Sequence, residues 1–230
     1  MRAYDEQMPS RRRLTPEQRL DELMDAGAQL FGERAYDEIA MEDIAARAAA
    51  SRALMYHYFP TTGDFFAAIW TRAHDRLLAE LRIDPGEPVR AAVYRALVAH
   101  LDFYRDHTPL VLIANRSALA ADPAVRGPVN ADLDALCERV LDACAATGHT
   151  REIASTALTG WIAFIREVCV EWLDRGHLSR DEVLRMCMAV LDATVGAHLT
   201  LTAPPRQFDT SAPGGSSSGS RLRRIQSDRS

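Results

Sequence analysis

EDIAARAAASRALMYHYF, the run from Glu42 to Phe59, reads as a helix, a turn and a second helix. Met41, Ile44, Ala45 and Ala48 form an apolar stripe at helical spacing, and Ser51 then offers a side-chain oxygen to start the next helix. That second helix buries Leu54 or Met55 together with Phe59, while Arg52, Ala53, Tyr56 and His57 point the other way. A short helix showing polar and aromatic groups fits the DNA major groove. An ordinary helical hairpin with a solvated polar face satisfies the same spacing.

The wider pattern separates these readings. Leu30-Phe31, Tyr36, Asp43-Ile44-Ala45, Ser51-Arg52, Tyr56-His57-Tyr58-Phe59-Pro60 and then Phe65-Phe66 resemble, in order, the N-terminal domain of the TetR family of transcriptional regulators. The likeness runs from about Thr15 to Ile69; the remainder resembles the family only in general design. It implies an all-α fold: a three-helix N-terminal helix-turn-helix domain, joined by a linking helix to a larger helical ligand-binding and dimerisation domain. The function implied is a ligand-responsive regulator, a repressor that binds double-stranded operator DNA as a homodimer and is released by a small apolar or amphipathic effector. On this resemblance the DNA side is carried by Arg47, Ser51, Arg52 and Ala53, followed by Tyr56, His57, Tyr58 and Thr62.

Five positions depart from the family pattern. Ala35 and Ala49 stand where the family has glycines in left-handed turns, Ala40 where it has a helix-capping serine or threonine, Ala50 where it has valine, and Thr62 where it has a phosphate-contacting lysine. A missing cap costs about 0.5 to 2 kcal/mol and a left-handed alanine about 1 kcal/mol. These losses raise the alternative of a ligand-binding or scaffold protein on the same fold with little DNA affinity.

Bulk charge gives no help to a nucleic-acid reading. The chain carries a net −5, and residues 1–60 hold 8 arginines against 11 acids. Position matters more than the sum, because Arg11, Arg12 and Arg13 form a leading basic arm and Arg47 and Arg52 flank the turn. Every basic residue is arginine, the side chain suited to bidentate contacts with phosphate or guanine. Apolar residues make up 47% and charged residues 26%, which places the chain among globular proteins and away from disordered ones. No uninterrupted apolar run of membrane-spanning length and no signal peptide are read, so a cytoplasmic protein without a membrane partner is expected. Cys137, Cys144, Cys169 and Cys187 form no close pair and read as buried, reduced thiols.

In order, residues 1–13 read as a disordered basic arm, 14–82 as the helix-turn-helix domain with its linking helix, 83–203 as the larger domain and 204–230 as a disordered tail. Thr15-Pro16-Glu17 opens the first helix with a cap, a proline and an acid at the positive end of the dipole. Asp84-Pro85-Gly86-Glu87-Pro88 breaks the chain between domains. Helices are predicted after it at about 89–106, 109–121, 123–147, 151–175 and 179–201, with Gly176 closing one helix and Ser179 to Glu182 capping the next.

No phosphate loop, nucleophile elbow or zinc-protease pair occurs, so neither an enzyme nor a cofactor or metal is expected. Mixed aromatic and polar groups in apolar patterns mark a ligand cavity at His100, Phe103 and Tyr104, then Asn115 and Arg116, then Trp161 and Phe164. The last two helices are apolar on more than one face, which predicts a four-helix dimer interface through Ile165 and Trp172 on one helix and Val183, Cys187, Val190, Ala193 and Ala197 on the other.

Overall fold

The computed structural model describes residues 15–79, 82–84 and 86–203; the expected arm and tail lie outside them. The described chain is all-α. Helix α1 (Pro16–Glu33) begins as expected: Thr15 and Gln18 cap each other, at 3.2 Å and 3.1 Å. Helices α2 (Met41–Arg47) and α3 (Arg52–Tyr58) form the helix-turn-helix, and α4 (Thr62–Ala79) runs out of it. Gly27 allows the crossing of α1 and α4, since a Cβ there would lie 2.2 Å from a ring carbon of Phe65. Around that crossing, Phe31 meets Phe66 edge-on at 5.3 Å and Phe59 meets Phe65 at 4.9 Å. Edge-to-face packing at such distances adds about 0.5 to 1.5 kcal/mol per pair beyond burial.

Ala49 takes the strained backbone the resemblance implies, with φ of 47°. The helix end closes through Ala50 N–H donating to the Ala45 carbonyl at 2.9 Å, the six-to-one bond that a left-handed residue permits. Ala35 does not. Its φ is −63° and ψ 144°, because the chain enters a single 3-10 turn (Tyr36–Glu38) that needs an extended residue before it, so no left-handed cost arises there. Ala40 offers no side-chain acceptor, yet half of the missing cap is supplied from the other side: Asp43 accepts the Ala40 N–H at 3.0 Å.

After α4 come α5 (Val89–Asp106), α6 (Thr108–Arg116), α7 (Pro123–Ala143), α8 (Gly148–Arg175) and α9 (Arg180–Thr194). The helix expected at 109–121 is split. Ser117 donates to the Ile113 carbonyl and accepts from Leu119 N–H, which ends α6 and starts a 3-10 turn (Ala118–Ala121). Helix α7 stops at Ala143 rather than 147, because Ala145 goes left-handed at φ 52° and Ala146 N–H closes onto the Leu141 carbonyl. Helix α9 ends at Thr194 rather than 201. Leu199 and Leu201 stay buried beyond it, and the Leu201 carbonyl accepts from Arg90 N–H at 2.8 Å.

Helix α4 packs along α7, and α8 and α9 form an antiparallel hairpin closed by Gly176 at φ 63° and by the Ser179–Glu182 capping box. Paired groups lock α5 to α9: Arg90 with Asp192 at 2.8 and 2.7 Å, and Arg180 with Asp102 at 2.9 and 3.0 Å. Trp161 donates its indole N–H to the Cys187 carbonyl at 2.8 Å and ties α8 to α9.

Candidate DNA-reading face and ligand cavity

Met55 is the wholly buried residue of α3 and Leu54 is half-buried, which fixes the helix's rotation. Arg52, Ala53, Tyr56 and His57, at positions that fall on adjacent rows of a helix, are all exposed. Tyr56, with 42% of its surface open, is the most exposed large apolar side chain of the helix-turn-helix. The Arg52 guanidinium lies 5.4 Å from the Tyr56 ring centre and its Nε is 2.8 Å from Glu42. Tyr58 is half-buried with its ring against His57 and Phe59. Ser51 stands exposed at the helix start, its hydroxyl accepting the Leu54 N–H at 3.2 Å.

Two residues expected on this face have other engagements. Arg47 grips Glu33 at 3.0 and 2.6 Å, tying α2 to α1, and this hydrogen bond holds the Glu33 carboxyl below its usual range. Thr62 is half-buried in the first turn of α4, and the capping there is done by Thr61, which exchanges hydrogen bonds with Asp64 at 2.7 to 3.1 Å.

The cavity lies between α4, α5, α6, α7 and α8 and is partly open to solvent. Of the seven candidates, His100, Tyr104, Asn115 and Trp161 line it. Phe103, Arg116 and Phe164 do not. Phe103 backs the wall, its ring 5.2 Å from His74 and 4.4 Å from His107. Arg116 sits outside, bridging to Glu167 at 3.0 Å and Glu171 at 2.8 Å. Ile165, expected at a dimer interface, lines the cavity.

Trp70, His74, Arg126 and Arg166 are lining residues that sequence reading missed. The α7 contribution, Val125, Val129, Leu133, Leu136 and Val140, was present as an apolar stripe, but nothing in the pattern said that it faced empty space. His74 Nδ1 and His100 Nε2 are buried without a hydrogen-bond partner. Desolvation pushes His74 down to about 4 and His100 to about 3, so both rings are neutral near pH 7. Burial likewise raises the Tyr104 hydroxyl, with Arg166 and Arg126 acting in the opposite sense.

Helix α9 uses its main stripe inside the chain: Val183 and Cys187 are fully buried, as is most of Trp172 on α8. Being buried within the chain, these side chains have no free surface for a partner. Val190 is half-buried, and Ala193 and Ala197 are exposed. Ile153, Thr156, Gly160 and Ala163 add an exposed row of modest side chains along α8. Helix α8 holds an 18-residue stretch long and apolar enough by composition to cross a membrane, of which only 33% is buried.

Comparison with known proteins follows the same division. Residues 23–69 match the family model described as bacterial regulatory proteins, tetR family. The HTH-type transcriptional activator FasR of Mycolicibacterium smegmatis is 26% identical over 136 residues, 56% of this chain; the match spans 60% of that protein's length. A tetR-family transcriptional regulator from Streptomyces coelicolor superposes with a TM-score of 0.67 at 24% identity, over 80% of this chain and 85% of its own. Thermus thermophilus FadR, a TetR-family transcriptional repressor solved with lauroyl-CoA, superposes at 0.59 with 17% identity, over 75% and 92%. At these identities the two structural likenesses show a shared fold.

Proposed function

We propose, for a chain whose residues 23–69 carry a TetR-family N-terminal domain and whose fold is that of TetR-family regulators, that it is a homodimeric transcriptional repressor released from operator DNA by a small amphipathic effector. The observation that carries this is α4. Its first turns hold the helix-turn-helix, through Phe65 against Phe59 and Phe66 against Phe31, and its later turns supply Trp70, His74 and Leu77 to the cavity wall. One helix therefore touches both the cavity and the helix-turn-helix. A ligand that moves α4 re-aims α3.

A second contact reinforces the coupling. Arg126 in the cavity wall donates its Nε hydrogen to the Ala120 carbonyl, and the adjacent Leu119 lies against the start of α4, 3.4 Å from where a Cβ on Gly63 would stand. A two-state shift of this turn is one physical route from cavity to DNA. On the DNA side, Arg52, Ala53, Tyr56 and His57 read bases, and Ser51 with Tyr58 and Thr62 contacts backbone phosphates. The exposed α8 row with Val190, Ala193 and Ala197 supports an isologous interface, since small side chains exposed along two adjacent helices can pack against a second copy. Lauroyl-CoA in the Thermus protein supports an amphipathic effector and its description as a repressor supports the sign; FasR, an activator, marks the opposite sign as the competing outcome.

The test is a binding selection on genomic fragments with the purified chain. Discrete sites with two-fold related half-sites are expected, separated by about one helical turn or a multiple of it. Purely salt-dependent, sequence-indifferent retention would refute the reading. It would favour a ligand-binding or scaffold role without useful DNA affinity, to which the pairing of both helix-turn-helix arginines with acids lends support.

A further inference from the structure

We propose that the cavity takes an elongated aliphatic amphiphile with an anionic head group, and that Arg126 and Arg166 hold that head. The inference rests on reading the cavity as the effector site and names what the site accepts.

Shape comes first. Helix α7 lines the cavity at intervals from Val125 to Val140, a span of roughly 22 Å of helix at 1.5 Å per residue. The space is long, and its length runs parallel to α7. Helices α7 and α8 are joined by the short turn after Ala143 and pack antiparallel, so positions late in α8 lie opposite positions early in α7. Arg166 therefore shares an end with Arg126 and Asn130, Leu158 lies midway, and Val140 marks the other end. Tyr104 belongs to the first end, since the two guanidiniums are the cations that act on its hydroxyl. The far end is lined by Ala92, Val93 and Val140, all buried and apolar, with the exposed Arg82 near its rim. A polar head and a hydrocarbon tail are thus laid out along one axis.

Charge comes second. Among the described residues, no aspartate or glutamate lines the cavity. Glu167, the acid beside Arg166 in the chain, turns outward to Arg116, and among the described residues neither Arg126 nor Arg166 has a carboxylate partner. Both arginines are half-buried as residues. A cation drawn partly out of water without a counter-charge is unfavourable, and an anion entering between the two would remove that penalty. Arg126 commits only its Nε to Ala120, which leaves the terminal nitrogens for a ligand oxygen. The buried histidines do not compete for the role, being uncharged, and the third lining cation, Arg82, is exposed to solvent.

Trp70 and Trp161 stand in the cavity wall, so their fluorescence reports binding in the full chain without DNA. The probes are decanoate, decyl phosphate, decanol and decyltrimethylammonium. Decanoate should bind about ten- to a hundredfold more tightly than decanol, the range expected for charge-assisted hydrogen bonds. The double variant Arg126→Gln with Arg166→Gln should lose that preference and keep its affinity for decanol. Decyl phosphate binding more tightly than decanoate would identify the head as phosphate rather than carboxylate, within the proposal. Equal affinity for decanoate and decanol in the wild type, tighter binding of the ammonium probe, or an undiminished preference in the double variant would overturn it. The wild-type series needs no variant to fold. Decanoate binding that leaves DNA binding unchanged would sink the effector reading and spare the ligand class; DNA release by decanol as readily as by decanoate would do the reverse.

Discussion

His74 makes the chain's stability depend on mildly acidic pH, in a direction the structure fixes. The ring is 3% exposed, its Nδ1 has no partner, and it packs 4.2 Å from Trp70 and 5.2 Å from Phe103. Burial, helped by the field of His107 and opposed by the nearby Trp70 backbone, lowers its pKa from 6.5 to about 4. A depressed pKa means that the unfolded chain takes up a proton which the folded one refuses. Stability from this group is therefore complete above pH 6.5, falls as pH drops through 6.5, and levels off below 4. Between pH 7 and pH 5 the loss is about 2 kcal/mol, from 1.36 kcal/mol per pKa unit. His74→Phe removes the titration and keeps an aromatic ring in the aromatic nest. Urea unfolding of both proteins at pH 7 and pH 5 measures it: the variant should lose about 2 kcal/mol less than wild type across that interval. Equal losses would show that His74 stays accessible to protons in the folded state, and the dry, enclosed account of this wall would be wrong.

Other substitutions probe the remaining parts. Ala49→Gly relieves the left-handed alanine and should stabilise the chain by up to about 1 kcal/mol, a rise of about 2 to 4 °C in Tm, after glycine's greater unfolded entropy is subtracted; no rise in a thermal scan would mean the local packing already compensates. Glu42→Gln frees Arg52 from a 2.8 Å pair and removes a negative charge beside the reading helix. Because an exposed pair is worth about 0 to 1 kcal/mol, DNA affinity should rise up to about fivefold, and fluorescence anisotropy showing a fall would place Glu42 as a needed orienter of Arg52. Ala193→Arg puts a charge on the exposed face of α9 and should give monomers by light scattering with unchanged helicity; an intact dimer would move the interface elsewhere.

The fold was legible where local chemistry and periodicity agree. Thr15, Ser51, Gly176 and the Ser179–Glu182 pair start or stop helices through hydrogen bonds or backbone angles that act within a few residues, so sequence reading placed those ends correctly. The errors fall where the terminating event has no side-chain signature. Nothing at Ala145 announces a left-handed residue, and alanine there argues for continuing α7 rather than ending it. Ala35 failed in the reverse sense: the family pattern implied strain, and a 3-10 turn removed the need for it.

The sites divide along the same physical line. On α3 a single buried residue, Met55, sets the rotation of a seven-residue helix, so knowing which side is apolar already tells which side faces out. A cavity is different, because its lining residues are apolar and inward-facing just as core residues are. Ile165 and Leu97 lie on stripes that core packing and a ligand would satisfy equally, and only the third dimension shows that no side chain fills the space between them. His100 and Tyr104 were legible because a polar group in an apolar stripe demands a partner. Arg126 and Arg166 follow the same rule, yet an arginine in the first turn of a helix or beside a glutamate reads as surface. What removes them from the surface is the antiparallel pairing of α7 and α8, which turns two positions 40 residues apart toward one end of the same space.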